Sequence, residues 1–357
     1  MKSSSSSNRS FPLGSRIVTD DSDAYVIAEI GANHQGERDI ALELIRAAAA
    51  AGADAVKFQK RDNRRLFTAA GYAAPYDNEN SFGATYGEHR EALELRADDY
   101  QAIMAEAQRC EIDFFATAFD LPSVDFLVEL GVPAFKVASF DLTNTPLLEY
   151  VAQTKLPTIL STGGGTQESV DTAVEVFQRV KTPVAVLQCT SGYPPRFDEL
   201  NLQVIPTFRE RYPDVTIGYS GHDSGIAMAT VAFALGARIV EKHFTLNRAM
   251  KGTDHAFSLE PDGLRKMVRD LRRAREAMGD GIKRRYDSEI APHQKLAKMI
   301  VASRDLPEGH VIGLDDLDYR SPGAGIPPAG RDLVVGKKLI KPLAEGAPLS
   351  EDDLIIG

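Results

Sequence analysis

The segment IAMATVAFALGARIVEKH, residues 226–243, decides the fold class. Its first part, Ile226–Leu235, has the apolar periodicity of a helix and ends at Gly236, a typical helix stop signal. Its second part, Arg238–His243, is a short apolar run of the kind that forms a buried strand. Similar runs alternate with helical patterns from Tyr25 onward. The eight runs are Tyr25–Glu29, Ala55–Gln59, Phe114–Thr117, Ala134–Ala138, Thr158–Ser161, Val184–Gln188, Thr216–Tyr219 and Arg238–His243.

Eight strand–helix units whose strands are buried on both faces predict an α/β fold, a closed parallel (β/α)8 TIM barrel. A doubly wound open sheet shares the same local alternation, and the count of eight favours the barrel. One segment, Lys60–Leu95, interrupts the pattern because it has no clean periodicity and is rich in Tyr, Asn, Gly and Phe. A long loop at the mouth of a barrel is typical of a functional element.

The composition is that of an ordinary globular protein, with 43% hydrophobic and 26% charged residues among 357, which excludes a disordered or disulfide-stapled chain. The net charge of -10 argues against nucleic acid as the main partner. No apolar run approaches the ~18 residues that a membrane helix needs, so no membrane partner is expected. Neither Cys110 nor Cys189 lies in the setting of a bridge or a metal knuckle. The default expectation is a cytoplasmic enzyme.

The chain is expected to contain four segments. Residues 1–20 begin Ser-rich and lack the apolar core of a signal peptide, which predicts a flexible tail. Residues 21–280 form the barrel domain, and residues 281–293 form a polar linker. Residues 294–357 contain short strands punctuated by Gly and Pro, which predicts a second, small β-rich domain.

Polar and ionisable residues stand at nearly every predicted strand end, where a barrel of this type carries its chemistry. A charged residue in a buried strand is costly unless it is paired or points into a polar pocket. The residues are Glu29, Lys57, Gln59, Thr117, Lys136, Ser139, Ser161, Thr162, Gln188–Ser191, Ser220, His222, Glu241 and His243. The sequence therefore predicts an active site at this end of the barrel.

Two histidines, His222 and His243, follow consecutive predicted strands and should lie side by side at the rim. Neutral imidazoles suit divalent first-row metals, and two of them leave positions open for water and substrate. A pair of hydrogen-bonded structural histidines is the alternative. The nearby Glu241 and Asp254 favour a metal site.

Two lysines, Lys57 and Lys136, are expected to converge with the strand-end hydroxyls. Lysines and hydroxyls, together with the backbone N–H groups of Gly163–Gly165, make a receptor for a phosphate or a carboxylate. A buried lysine is also the nucleophile of Schiff-base aldolases, so that mechanism stays open for Lys136.

Four motifs resemble those of the sialic acid synthase family, and the match extends from Tyr25 to the C-terminus. The motifs are Ala28–Gly36 (AEIGANHQG), Ala53–Gln59 (ADAVKFQ), Glu241–Leu246 (EKHFTL) and Gly252–Pro261 (GTDHAFSLEP). The tail from about His293 resembles the antifreeze-like SAF domain, a β-clip fold, that closes these enzymes. The resemblance implies a TIM barrel followed by a SAF domain, in a domain-swapped homodimer.

The resemblance also implies an activity. Family members condense phosphoenolpyruvate with the open-chain aldehyde of an N-acylated hexosamine and release phosphate. With N-acetylmannosamine or its 6-phosphate, the product is the nine-carbon 2-keto acid N-acetylneuraminate or its 9-phosphate. By resemblance, His222 and His243 hold a divalent ion, most commonly Mn²⁺, with Mg²⁺ or Co²⁺ as alternatives.

The remaining roles are carried over residue by residue. Phosphoenolpyruvate is expected to contact Lys57, Thr117, Lys136, Ser139, Ser161, Ser191 and Ser220. The acceptor sugar is expected to contact Gln59, Tyr193, Asp254 and Arg320, the last supplied by the small domain of the partner subunit. The catalytic carboxylates are expected to be Glu29, which handles the water or stabilises the cationic carbon, together with Asp141 and Asp254.

This sequence departs from several bacterial members of the family at two places. Gly221 stands where they have Asp before the first metal histidine, and Phe140-Asp141 stands where they have Gly-Glu. The segments Tyr219–His222 and Lys251–His255 look closer to the animal-type enzymes, whose acceptor is a 6-phosphate. Some bacterial relatives share the long loop, so the acceptor stays open.

Three alternatives stand beside this activity. The first is a related nonulosonate synthase of the legionaminate or pseudaminate type. The second is a Schiff-base aldolase that uses Lys136. The third is a non-catalytic sugar-phosphate sensor, which would bind its ligand without turnover.

Overall fold

The computed structural model describes residues 9–354, and the chain divides into two compact units after Gly279. An N-terminal β-hairpin precedes the barrel in the first unit. Its strands are β1 (Ser10–Leu13) and β2 (Arg16–Thr19). Phe11, Leu13 and Val18 are buried in the core of this unit. The prediction of a flexible tail was therefore wrong for residues 9–20, because alternating apolar residues give this stretch a face to bury. The rest of the predicted tail lies outside the described residues.

Eight parallel strands close into a barrel. They are β3 (Tyr25–Gly31), β4 (Ala55–Lys60), β5 (Asp113–Ala118), β6 (Phe135–Val137), β7 (Thr158–Ser161), β8 (Val184–Cys189), β9 (Thr216–Gly221) and β10 (Ile239–His243). Neighbours in the chain pair with one another, and β10 closes the barrel against β3. The predicted TIM barrel is confirmed, and the open doubly wound sheet is excluded.

Helices follow the strands along the chain, and α12 belongs to the second unit; local signals set the helix ends. Helix α6 illustrates this, because the Asp120 side chain accepts a hydrogen bond from the Ser123 N–H at 2.8 Å and Gly131 ends the helix with φ of 81°. The helices are α1 (Arg38–Ala50), α2 (Asn63–Leu66), α3 (Ala69–Ala73), α4 (Tyr86–Ala92), α5 (Ala97–Arg109), α6 (Leu121–Leu130), α7 (Thr145–Gln153), α8 (Gln167–Arg179), α9 (Val204–Arg211), α10 (Ala227–Ala234), α11 (Pro261–Met278) and α12 (Asp287–Leu296). Across residues 9–354, none of the helices has the length and apolar character needed to cross a membrane.

The strand register brings the predicted site residues to one level of the barrel. Glu29 on β3 pairs with His243 on β10 at one side and with Lys57 on β4 at the other. Thr117 on β5 pairs with Lys136 on β6. Because parallel strands present their carboxyl ends at one edge, these side chains meet at the mouth of the barrel.

The segment between β4 and α5, residues 61–96, forms an arm over that mouth. It contains α2, α3 and α4. Helix α4 begins with a capping box, in which the Glu88 N–H donates to Thr85 Oγ1 and the Thr85 N–H donates to Glu88 Oε2. The Gly252 N–H donates to Asn80 Oδ1 at 3.0 Å, which fixes the arm to the loop after β10. The long loop expected at the mouth is thus a folded element with short helices.

The second unit has its own small core. Its strands β11 (Met299–Ala302) and β12 (Leu317–Arg320) pair antiparallel, and Ile300, Ile312, Val334 and Leu339 are buried between turns. Helix α12 begins within the predicted polar linker and covers its residues 287–293. The helix starts where the Tyr286 N–H donates to Glu289 Oε2 at 2.8 Å. Pro292 lies inside the helix, and because proline is unfavourable there, the sequence does not predict a helix.

A buried carboxylate, Asp316, is expected to make the second unit sensitive to acid. It accepts hydrogen bonds from His310 Nε2 at 2.7 Å, from the Gly313 N–H at 2.8 Å and from Arg304. The His310 bond, with help from Gly313 and Arg304, lowers the pKa of Asp316 to about 2. Because the folded pKa lies below the unfolded value of ~3.9, the stabilisation is complete above that pH and is lost as the pH falls toward the folded pKa.

We therefore expect Asp316→Asn to lower stability at pH 5 by on the order of 1–2 kcal/mol, with the difference from wild type shrinking toward pH 2. Thermal unfolding of the full chain between pH 2 and 5 measures this. A difference that stays constant over the range would contradict the assignment.

Candidate active site

A cavity of about 530 Å³ opens at the carboxyl ends of the barrel strands. Most of the predicted site residues line it. They are Glu29, Lys57, Gln59, Thr117, Lys136, Ser139, Asp141, Ser161, Tyr193, Ser220, His222, His243 and Asp254. Side chains predicted at the ends of separate strands therefore line one cavity.

Two lysines and two glutamates form a buried ionic network on the floor of the cavity. Lys57 Nζ lies 2.7 Å from Glu29 Oε2 and 3.7 Å from Glu241 Oε2, and it donates to Thr117 Oγ1 at 3.0 Å. Lys136 Nζ lies 3.7 Å from Glu241 Oε1. The charges of the four groups balance, which offsets the cost of burying them.

The two glutamates of this network differ in their proton affinity. Burial raises the pKa of Glu29, although Lys57 opposes that rise. Burial also acts on Glu241, but there the charges of Lys136 and Lys57 prevail and lower its pKa. Glu241 is thus the fixed anion of the network, and Glu29 is the group that can more readily take up a proton.

Hydroxyl groups surround the two lysines. Ser220 Oγ donates to Glu241 Oε1 at 2.9 Å, and Ser139 Oγ accepts from the Gly163 N–H at 3.0 Å. Ser161 Oγ and Ser191 Oγ are buried and have no hydrogen-bond partner within residues 9–354. Buried hydroxyls of this kind are suited to a polar ligand.

Gly163 allows these hydroxyls to approach the backbone. A Cβ at this position would lie 2.0 Å from Ser191 Oγ and 2.9 Å from Ser139 Oγ, so a larger residue would displace them. Ser191 lies beside this glycine but does not line the cavity. Glycine at position 163 thus lets the Ser139 and Ser191 hydroxyls lie close to the backbone.

The two histidines lie side by side, with ring centroids 5.2 Å apart. The Nδ1–H of His222 donates to the Thr190 carbonyl at 3.0 Å, which leaves Nε2 as the free lone pair. His243 Nδ1 is buried without a hydrogen-bond partner within the described residues and lies 3.7 Å from Asp254 Oδ2. Burial lowers the pKa of His243 to about 3, so its ring is neutral near pH 7.

This pair fits a two-histidine metal site. The neutral His243 ring has an unused nitrogen, and the His222 ring is held by the Thr190 carbonyl. Divalent first-row ions bind imidazole nitrogens of this kind. Burial lowers the pKa of His222, but the Cys189 thiol, 3.8 Å from His222 Nδ1, raises it and prevails. A bound cation would favour the neutral ring of His222. Within residues 9–354, no cluster of three or more His, Cys, Asp or Glu side chains has metal-binding geometry, so other ligands must complete the coordination.

The predicted acceptor residues also line the cavity, with one exception. Gln59 Nε2 donates to Glu29 Oε1 at 2.7 Å, and the Tyr193 ring packs on the His222 ring at 4.4 Å. Asp141 lines the same wall, and burial raises its pKa. Arg320 belongs to the second unit, where its Nε lies 2.7 Å from Asp318 Oδ2.

Comparison with known proteins matches both units to described families. The NeuB family matches residues 44–283, and the SAF domain matches residues 297–355. The chain belongs to the NeuB family. The resemblance to sialic acid synthases and the predicted barrel with a SAF domain are both confirmed.

Relatives of this NeuB-family chain are synthases, which supports an enzymatic role. N-acetylneuraminate-9-phosphate synthase from Homo sapiens is 40% identical over 332 residues, 92% of each chain. N,N'-diacetyllegionaminic acid synthase from Legionella pneumophila is 35% identical over 95% of each chain. Among solved structures, the N-acetylneuraminic acid (sialic acid) synthetase from Leptospira borgpetersenii in complex with citrate is 34% identical, with a TM-score of 0.70, and the match covers 80% of this chain and 95% of that chain.

In the NeuB-family chain, Glu241 has a different role from the one the sequence suggested, beside the histidines, and Arg61 and Arg90 were given no role at all. Glu241 joins the floor network, and Arg61 and Arg90 line the outer wall. A signal for Glu241 was present, because it stands two residues before His243 on one strand and so points to the same side of the sheet. The arginines had no such signal, since they come from the arm.

Proposed function

We propose that this chain joins phosphoenolpyruvate to the open-chain aldehyde of an N-acylated mannosamine, with water as the third reactant. The products are inorganic phosphate and a nine-carbon 2-keto acid. With N-acetylmannosamine or its 6-phosphate, that acid is N-acetylneuraminate or its 9-phosphate. The carrying observation is that one cavity joins two buried lysines and the unpaired Ser161 hydroxyl to two adjacent imidazoles. We propose accordingly that the chain is a carbon–carbon bond-forming transferase and that it acts in the cytoplasm.

The lysine end of the cavity would bind phosphoenolpyruvate. Lys57 and Lys136 supply positive charge, and the Ser161 and Ser191 hydroxyls supply unused donors. Fixed cations in a buried site interact with an anion more strongly than they would in water. The residues in this group are Lys57, Thr117, Lys136, Ser139, Ser161, Ser191 and Ser220.

The imidazole end would hold a divalent ion through His222 and His243. We propose Mn²⁺, with Mg²⁺ and Co²⁺ as the alternatives. When bound, such an ion supplies Lewis-acid polarisation of a carbonyl, which an aldehyde needs before a neutral enol carbon attacks it.

The protein groups would then handle the acceptor and the water. Carbon 3 of phosphoenolpyruvate bonds to the aldehyde carbon, and carbon 2 becomes cationic. Water adds to carbon 2, and Glu29 passes one of its protons to the oxygen of the former aldehyde, which becomes a hydroxyl. The carbon–oxygen bond to phosphate then breaks, the remaining hydroxyl proton leaves with the phosphate, and carbon 2 becomes the ketone. Gln59 holds Glu29 in place, while Tyr193, Asp254 and Asp141 contact the acceptor.

The acceptor site would be completed by Arg320 from the second subunit of a domain-swapped homodimer. We expect His243→Ala and Arg320→Ala each to be inactive alone, because each removes one part of every site. Refolding the two variants together at equal amounts should restore about a quarter of wild-type activity, since half of the dimers then hold one intact site. Light scattering gives the oligomeric state, and a mixture as inactive as its components would contradict the exchange.

Phosphate release from phosphoenolpyruvate tests the reaction directly. The assay contains Mn²⁺ and either N-acetylmannosamine, its 6-phosphate, the precursor of legionaminate or no sugar, with and without chelator. Release that needs sugar and is stopped by chelator is expected, with a nine-carbon product by mass spectrometry. Borohydride trapping of the substrate on Lys136, or turnover in chelator, would instead show a Schiff-base aldolase. Sugar binding with no release would show a sensor.

A further inference from the structure

Three cations, Arg61, Arg90 and Lys251, form a cluster where the arm meets the cavity. Arg61 and Arg90 line the cavity wall. Burial and the neighbouring charge of Arg90 lower the pKa of Arg61 to about 10. Burial, Arg90 and Lys251 lower the pKa of His89 to about 4. Lys251 does not line the cavity itself, but its Nζ lies 4.8 Å from the centroid of the Phe82 ring, which does.

Aromatic rings and hydroxyls hold the two guanidinium groups in position. Arg61 lies 4.1 Å over the Phe119 ring, and its Nη2 donates to Gln59 Oε1. Arg90 donates to Tyr86 Oη through Nε at 3.0 Å and Nη2 at 2.7 Å. Each guanidinium has five N–H groups and lines the cavity, so both side chains have more donors than these bonds use.

The cluster has no carboxylate partner within the described part of the chain. No Asp or Glu oxygen of residues 9–354 lies within 4.0 Å of a side-chain nitrogen of Arg61, Arg90 or Lys251. Glu94, whose charge reaches Arg61, is held in an ion pair by Lys60. Like charges gathered without a counter-ion are unfavourable, and an anionic ligand would relieve the repulsion.

The floor of the cavity differs from this cluster in its charge. There, Lys57 and Lys136 face Glu29 and Glu241, so the floor lysines are already paired. The two regions are connected, because Gln59 bonds both Arg61 and Glu29. One extended ligand can therefore reach from the reacting carbons to the cluster.

We propose that Arg61, Arg90 and Lys251 bind a phosphate monoester on the acceptor, which makes the preferred acceptor a hexosamine 6-phosphate. This inference rests on the proposed condensation. In an open-chain hexose, carbon 6 is at the opposite end from the aldehyde, so its phosphate points away from the reaction centre. Planar guanidinium groups match the oxygens of a phosphate dianion, and an ammonium adds charge.

The test compares two acceptors on three proteins. Wild type, Arg90→Gln and the control Arg65→Gln are assayed with N-acetylmannosamine and with its 6-phosphate. Arg65 is the matched control because it is an exposed arginine of the same arm that pairs with Asp62. Wild type is expected to prefer the 6-phosphate. Arg90→Gln should lower kcat/KM for the 6-phosphate by roughly 10- to 100-fold through KM, with the unphosphorylated sugar and the KM for phosphoenolpyruvate unchanged.

Three results would overturn the proposal. They are equal use of both sugars by wild type, an equal loss for both sugars in Arg90→Gln, and a loss confined to phosphoenolpyruvate. Calorimetric binding of N-acetylmannosamine 6-phosphate to the same proteins separates this inference from the proposed reaction. Binding that Arg90→Gln weakens, without turnover by any protein, would support the cluster and reject the condensation. Binding that Arg90→Gln leaves unchanged would reject the cluster.

Discussion

His243→Ala is expected to abolish sugar-dependent phosphate release, with a loss of at least roughly a thousandfold in kcat. The ring is buried, neutral near pH 7 and has an unused Nδ1, so its removal takes away one of the two donors of the candidate metal site. The loss should follow from weaker metal binding. Electron paramagnetic resonance of added Mn²⁺ would then show free rather than bound ion.

A matched control for this variant is His293→Ala, which removes an exposed histidine of α12. It should bind Mn²⁺ and turn over as wild type does. If His243→Ala kept both Mn²⁺ binding and activity, the metal assignment would be wrong. If it bound Mn²⁺ normally but lost activity, His243 would act on the substrate in another way.

Lys57→Met is expected to destabilise the barrel strongly. It preserves the length of the side chain but leaves Glu29 and Glu241 with only Lys136 as a positive partner. Breaking a buried ion pair from one side costs about 3–5 kcal/mol of stability. Denaturant unfolding followed by circular dichroism at 222 nm reports on the barrel, because α1–α11 all lie in the first unit.

The pH dependence of this loss can be derived from Glu29. Without Lys57, burial raises the pKa of Glu29 further, so the folded variant binds a proton more tightly than the unfolded chain. The variant is therefore stabilised as the pH falls, and the loss should be larger at pH 8 than at pH 5.

The double variant Lys57→Met/Glu29→Gln is the control for charge. It restores a balanced pair of Lys136 and Glu241, so it should recover most of the lost stability while binding of phosphoenolpyruvate stays weak. A double variant as unstable as the single one would show that Lys57 acts through packing rather than through its charge.

The barrel was predictable because its signal is local. Each buried strand is a short apolar run, and the helices between them end at residues such as Gly131 and Gly236. The strand-end rule then located the floor residues, since parallel strands share one edge. It also selected residues with a structural role. Thr162 Oγ1 donates to the Leu187 carbonyl, and Gln188 Nε2 donates to the Leu200 carbonyl.

What could not be predicted depends on contacts between distant segments. The N-terminal hairpin buries Phe11 and Leu13 against a core that forms only in the folded barrel. The cluster of Arg61, Arg90 and Lys251 joins three places in the chain, and its lack of carboxylate partners is visible only once the arm is in place. A linear pattern carries no information about which charges stay unpaired.

The closing seam of the barrel has a consequence for how the protein becomes active during its synthesis. The pairing of β10 with β3 joins residues more than 200 positions apart, including His243 and Glu29. Such long-range pairing forms late in folding. A nascent chain that ends before β10 therefore contains Lys57 and Lys136 but not His243. A slip of one residue in the pairing of β10 with β3 would turn His243 away from the interior of the barrel. We therefore expect the two histidines and the floor lysines to come together only when the barrel closes.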